Sequence, residues 1–409
     1  MVPNGWKRVP IKDACESIID CVNKTAPVVD YETPFKMIRT TNVRNGRVNT
    51  EDVRYVTEET YLQWVRRGRP QVGDIIFTRE APVGEVGILE DAHGIFLGQR
   101  TMMYRASNRR ADNYFLFYAL SSQFCQKQIE DLSNGGTVAH MRVPDCSEIL
   151  INLPPRQEQN KIAKIISTWD RAISTTEQLL ANIQQQKKVL MQQLLTGKKR
   201  LLDSNGVRFS EEWITIPLEK ICHINPKRPP EPKDGLVSFI PMEFVSEDAK
   251  LLSTSERFYT DVSKGFTSFL DGDTLIAKIT PCFENGKGCY VQGMRNGVGF
   301  GSTEFHVLRA NKLSSPLFLY YMTNTSEFRI KGEANMQGSA GQKRVTTDYL
   351  KSLKVTIPKQ VQEQQKIATV LSTADQEISA LQQKLDTLKQ EKKALMQQLL
   401  TGKRRVTVN

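Results

Sequence analysis

The stretch from Gln157 to Lys198 reads QEQNKIAKIISTWDRAISTTEQLLANIQQQKKVLMQQLLTGK, and it returns without a gap from Gln362 to Lys403 as QEQQKIATVLSTADQEISALQQKLDTLKQEKKALMQQLLTGK. The offset is constant, since 362 − 157 and 403 − 198 both give 205. A duplicated segment implies a duplicated architecture. Apolar residues in the first copy fall at Ile162, Ile166, Trp169, Ile173, Leu180, Ile183, Leu190 and Leu194. The second answers with Ile367, Leu371, Ala374, Ile378, Leu381, Leu385, Leu388, Leu395 and Leu399. Steps of four and three mark a coiled-coil seam on a long helix. Thr176 and Lys187 interrupt the first seam, and Lys187 recurs as Lys392. Matched polar residues there either fix register or carry their charge out to water beside the seam. Gly197 and Gly402 stop the helices, with basic residues beside the last carbonyls, and Pro154, Pro155 and Pro358 precede the starts.

Chain order then sets direction. A globular segment precedes each helix, so the second helix pairs with the first only by running back along it. At about 1.5 Å per residue, roughly 39 residues make a rod of ~58 Å. The expected plan is a dumbbell whose C-terminus returns near its N-terminus. The expected segments are 1–152 (globe), 153–202 (helix), 203–356 (globe) and 357–409 (helix).

The 409 residues suffice for two or three domains with cores of their own. Hydrophobic content of 39% and charged content of 25% fit a soluble protein. No apolar run nears the ~20 residues of a membrane span, and the first ten residues carry no signal-peptide core. The seven cysteines (15, 21, 125, 146, 222, 282, 289) make no CxxC, so reduced thiols and a cytoplasmic location are expected. A net charge of +11 points to a polyanion, nucleic acid foremost, or to a basic surface without a specific partner.

The two globes share a skeleton. Trp6 to Ile11 is answered by Trp213 to Leu218, and the strand Gly73 to Arg79 by Gly272 to Lys278. Residues 12–20 look helical, and 35–56 alternate about Asn45-Gly46 as a hairpin. Helical spacing runs through 113–132 and again through 316–329. Polar glycine-rich loops follow at 133–142 and 336–344, and strands at 149–151 and 353–357 lead into the long helices. The heads diverge while the helices stay alike, as expected of a scaffold that reads two different things at a set distance.

Catalytic signatures are missing: there is no phosphate-binding loop, no dinucleotide fingerprint and no metal spacing among His93, His140, His223 and His306. Asp273, Glu284 and Lys287 allow a nuclease reading, but the stretch about Asp74 has no matching pair, and a turn aspartate beside glycine is commonly structural. The polar loops are better candidates, because Arg and Lys recognise guanine edges and phosphates while Asn and Gln pair with adenine. Candidate DNA contacts are Arg39, Arg44, Arg47, Arg79, Asn134, His140 and Arg142 in the first globe. In the second they are Lys278, Gln337, Gln342, Lys343 and Arg344. Each is also readable alone as a solvated surface group.

Taken together, these features resemble the specificity subunit of type I restriction–modification enzymes over nearly the whole chain. The resemblance rests on the Trp-x-x-x-Pro openings (Trp6/Pro10, Trp213/Pro217), the Gly-Asp strands and the Glu-Gln helix starts (Glu158/Gln159, Glu363/Gln364). The twin LMQQLLTGK ends complete it. It implies an α+β fold: two α/β target recognition domains separated by two antiparallel coiled-coil helices with an internal pseudo-twofold repeat. It implies a non-catalytic subunit that reads a bipartite, asymmetric DNA site across an unread gap. Two methyltransferase subunits and the restriction (translocase–nuclease) subunits would be its partners. S-adenosylmethionine, ATP and Mg would belong to those partners, with no cofactor on this chain. Outer helix faces, Gln184 to Gln186 and Gln192-Gln193 among them, would either dock the methyltransferases or be plain solvated surface. An enzyme with its own site, a non-specific DNA-binding coiled-coil protein and a fused type II-like arrangement remain as rivals.

Overall fold

The computed structural model describes residues 2–133, 139–339 and 341–407. Its longest elements are two helices of 39 residues, Arg156–Leu194 and Val361–Leu399. Both end alike. Gly197 (φ 72°) and Gly402 (φ 70°) adopt the left-handed region that glycine enters without steric cost. The turn then closes through Lys199 N to Gln193 O (3.0 Å) in one copy and Arg404 N to Gln398 O (3.1 Å) in the other. Both bonds span six positions, one more than the main bond of a Schellman end, and satisfy a carbonyl of the last helical turn.

Chain contacts define two units, Met1–Glu177 with Gln383–Asn409, and Gln178–Gln382. Each therefore holds one globe and about half of each long helix. In the first unit Ile162, Ile166, Ile173, Leu385 and Leu399 are buried, with Trp169, Leu388 and Leu395 half-buried. In the second, Leu180, Leu194, Ile367, Leu371 and Ile378 are buried, with Ile183 and Leu190 half-buried. Within each unit the pairing is antiparallel. Asp170 meets Lys392 (2.5 Å) and Glu177 meets Lys389 (2.9 Å) in the first, so one number rises as the other falls. Lys187 meets Asp375 (2.6 Å) and Arg200 meets Glu363 (2.6 Å) in the second.

The matched lysines thus reach across the seam. Each carboxylate they meet also accepts a buried tyrosine from the adjoining globe, Tyr118 to Asp170 (2.6 Å) and Tyr321 to Asp375 (2.8 Å). Burial, and then the neighbouring aspartate, pushes both phenols well above their ordinary value, so they stay donors. A charge pair at one seam level rejects the sliding that an all-leucine seam would tolerate.

The Glu-Gln starts acquire a physical meaning. Glu158 accepts both guanidinium arms of Arg405 (2.7 and 2.9 Å), and Glu363 those of Arg200 (2.6 and 2.7 Å). The arginine past the end of one helix thereby closes on the start of the other. Gln159 bonds Arg110 O, Pro154 O and Asp112 N, and Gln364 bonds Leu313 O, Pro358 O and Ser315 N, so each glutamine pins the start of a globe helix. The copies differ at one point. Trp6 Nε1 donates to Glu158 (3.0 Å), whereas Trp213 Nε1 is buried without a partner, and nothing in the structure explains the difference.

In the first globe a six-stranded sheet runs 15–20, 101–106, 75–79, 83–88, 46–48, 43–44. The second repeats the first four places as 222–224, 305–310, 274–277, 288–290. The Trp-x-x-x-Pro openings are strands, Lys7–Pro10 on Leu150–Leu153 and Trp213–Pro217 on Lys354–Pro358. Two expectations need correction. Residues 12–20 are not helical: after a short 3-10 turn, Cys15–Asp20 is a strand against Thr101–Ala106, where sheet pairing suits Ile18-Ile19. The helical spans 113–132 and 316–329 are each two helices, restarted by Ser122 and Thr325, whose hydroxyls cap Cys125 N and Phe328 N. The hairpin about Asn45-Gly46 is present, but short, with Val43 opposite Val48.

Candidate nucleic-acid interface

The strands Ile75–Arg79 and Thr274–Ala277 leave Gly-Asp turns whose aspartates are held from inside the fold. Asp74 takes Gln71 N (2.7 Å) and both arms of Arg105 (2.9 and 2.7 Å). Asp273 takes Leu270 N (2.7 Å) and both arms of Arg309 (2.8 Å each). Glu284 meanwhile accepts from Thr280 (2.6 Å), and Lys287 donates to Met242 O (3.4 Å). The three residues of the nuclease reading therefore serve separate local bonds.

At the far ends of those strands lie the polar rims. Backbone bonds establish the equivalence. Arg79 N donates to Arg100 O and Lys278 N to Glu304 O; Met141 N donates to Arg79 O and Val345 N to Lys278 O. Bridges join Glu80 to His140 and Ile279 to Arg344, so the loops that looked alike in sequence hang from matching places.

In the second globe the candidates converge. Lys278 ends the strand, Gln337 and Arg344 bridge each other, and Gln342 and Lys343 are exposed on the same hairpin. Arg344 grips Glu304 with both arms (3.0 Å), and that bond holds the Glu304 carboxyl below its usual range. Behind them His306 is 3% exposed. Its Nε2 lies 2.7 Å from Val345 O, which only accepts, so Nε2 carries the proton and Nδ1 receives Asn225 Nδ2 (3.2 Å). Burial lowers the imidazole below its ordinary 6.5, with nearby Lys278 adding to the effect.

In the first globe the candidates separate. Arg79 is buried, with its guanidinium on Asp20 (3.0 Å) and Met141 O (3.3 Å); this corrects the view of it as an open recognition cation. His140 is exposed at that rim, and Arg142 is exposed but paired with Asp145 (2.7 Å). Arg39 follows the strand Lys36–Ile38, and its Nε is buried without a partner. Asn134 lies outside the described residues. Arg44 and Arg47 sit elsewhere, on the hairpin at the Asp74 end of the sheet, where Arg47 opposes Ile88. They border a groove of about 2070 Å³ within the first unit, shared with Lys164, Arg171, Lys389 and Lys393. At the matching repeat positions of three of these, 369, 376 and 184, the second unit has Thr, Gln and Gln.

Sequence reasoning missed Arg228 and Phe266, which line a cavity of about 310 Å³ with Lys278. The signal was the basic pair Lys227-Arg228 in a proline-rich loop. It also missed Arg100, exposed and paired with Glu80 (2.9 Å), for which no motif offers a cue.

Comparison with known proteins gives a consistent answer. Residues 3–185 and 210–390 match the sequence profile described as the type I restriction modification DNA specificity domain. The chain is 35% identical over 201 residues to the Escherichia coli type I restriction enzyme EcoEI specificity subunit, covering 47% of this chain and 34% of that protein. It is 40% identical over 160 residues to the E. coli EcoAI specificity subunit, covering 38% and 26%. The chain thus spans about a third or less of these relatives in the matched regions. The solved type I restriction–modification system S subunit from M. genitalium shares its fold, with a TM-score of 0.60 and 16% identity over 100% of this chain and 99% of that one.

Proposed function

We propose that this chain, which belongs to the type I restriction–modification DNA specificity family, reads a bipartite, asymmetric DNA site. One globe takes each half, and the helix pair sets the unread gap. In this reading the chain performs no bond chemistry. It holds methyltransferase subunits, which bring S-adenosylmethionine, and restriction subunits, which bring ATP and Mg. The observation that carries the reading is one architecture built twice with the same joints and unlike rims. A shared joint fixes where a head sits, and base edges are told apart by the side chains that the head presents. The relatives' naming as specificity subunits supports the same role.

Modified-base sequencing of cells carrying the chain with its methyltransferase partner, against cells lacking the chain, tests it. The expected result is an adenine mark that depends on the chain and falls at a split, asymmetric motif. Replacing residues 1–152 with another head is expected to change one half only. A continuous or palindromic motif, or no mark from an assembled complex, would reject the reading.

A further inference from the structure

Arg79 and Lys278 hold one place in the two globes, yet their surroundings differ in a way that creates a binding site in only one of them. Asp20 stands opposite Met102 in the first sheet and neutralises Arg79. In the second sheet the matching strand ends at Ile224, opposite Leu308, and is followed by Asn225 (φ 52°) and Pro226, with no aspartate at the place of Asp20. The carboxylate is gone, and the cation at 278 is left without a salt bridge among the described residues. Arg228 is likewise unpaired. Both border the 310 Å³ cavity, together with Thr267, Ser268, Phe266 and Phe305. Glu304, whose carboxylate also feels Lys278, is held by Arg344. Asn225 is turned inward, its Oδ1 taking Val307 N (3.0 Å) while its amide serves His306 and Thr347.

The lining is thus two cations and no carboxylate beside phenylalanine, valine and proline. A base edge presents donors and acceptors together, whereas a phosphodiester presents acceptors and charge alone. We propose that this cavity seats one phosphate of the DNA backbone beside the half-site of the second globe, and that the first globe has no counterpart. The inference rests on the DNA-reading function proposed above and adds the anchoring group. It also implies a division of labour, in which Lys278 and Arg228 set register while the exposed Gln337, Gln342 and Lys343 face the bases.

The test is fluorescence anisotropy of the full chain, with its methyltransferase partner, on a duplex carrying the mapped site and on an unrelated duplex across a salt series. Lys278→Ala is expected to weaken both duplexes by the same factor and to lower the salt slope by about 0.9. Between 50 and 200 mM salt it then loses about threefold less affinity than the wild type. Arg228→Ala, at an exposed position that leaves the fold intact, is expected to act in the same direction, and Lys278→Arg to restore the slope. Wild-type slopes in both alanine variants would overturn the phosphate seat while leaving the function standing. An altered base preference at unchanged slope would overturn it in favour of direct base reading. Failure of the wild type to prefer any duplex would remove the functional reading and the inference with it.

Discussion

Glu158 is held by Arg405 and Glu363 by Arg200 through the same two-armed contact, whereas Arg79 and Lys278, equally matched in position, meet an aspartate in one globe and an open cavity in the other. The difference follows from who supplies the partner. A joint residue is bonded to a side chain more than 160 positions away on another element. Removing the arginine alone strands a buried carboxylate, which ties the two positions together. An open rim residue such as Lys278 answers to solvent and to short local loops, whereas Arg79 at the matched place is held by Asp20. The joints are therefore repeated closely and the polar rims only in outline.

The sharpest way to break this contrast is at a joint. Arg200→Ala leaves the Glu363 carboxylate, 2% exposed, without its cation. The expected cost is about 3 kcal/mol, toward the low end for breaking a buried pair because Arg200 itself is partly wet. Urea denaturation monitored by circular dichroism measures it. Arg228→Ala at the rim of the same unit should leave the midpoint in place; equal losses at joint and rim would dissolve the distinction.

A smaller effect is expected at the seam. Lys187→Met and Asp375→Asn each cost on the order of 1–2 kcal/mol, since Tyr321 still donates to residue 375 in the first variant. A double-mutant cycle should return a coupling of about 1 kcal/mol. Strict additivity would mean that the lysine merely shelters its stem against the seam.

The smallest effect separates the globes by pH. His306 occupies the place that Met102 holds in the first sheet, paired with Ile276 as Met102 is with Phe77. Its folded-state affinity for a proton is depressed, so below about 6.5 the unfolded chain binds a proton that the folded chain does not. Stability of the second unit is thus expected to fall as pH drops through that range, with the first unit unaffected. Hydrogen exchange at residues 305–310 against 101–106, at pH 7.5 and 5.5, reads the difference, and His306→Gln should abolish it.

Where the sequence repeated, it could be read almost residue by residue. The two helices, their glycine ends and the seam from Ile162 to Leu399 follow from spacing alone, because a coiled coil is a one-dimensional pattern. Strand Cys15–Asp20 was illegible, since its identity comes from a partner some 85 positions away in the chain. Ser122 and Thr325 went unread as caps, because helical spacing runs on both sides of each. At the rims, charge was visible while its neutralisation was not. Arg79 and Arg47 look equivalent in a string of letters, yet one side chain is 8% exposed and the other 63%. Nothing near Arg79 in the chain announces Asp20, and only the fold brings them together.

The first unit is also discontinuous in time. Its globe is made before the other, but its core includes Leu399 and Leu400, and its clamp needs Arg405 on Glu158 and on Asn4 O (2.9 Å). The second unit uses only residues 178–382 and has all its material earlier. During synthesis the half made second is therefore completed first, and the globe made first waits, open along one side, for residues 383–407. A chain cut just after Gly402 would keep both polar rims and lose the Arg405 clamp on Glu158.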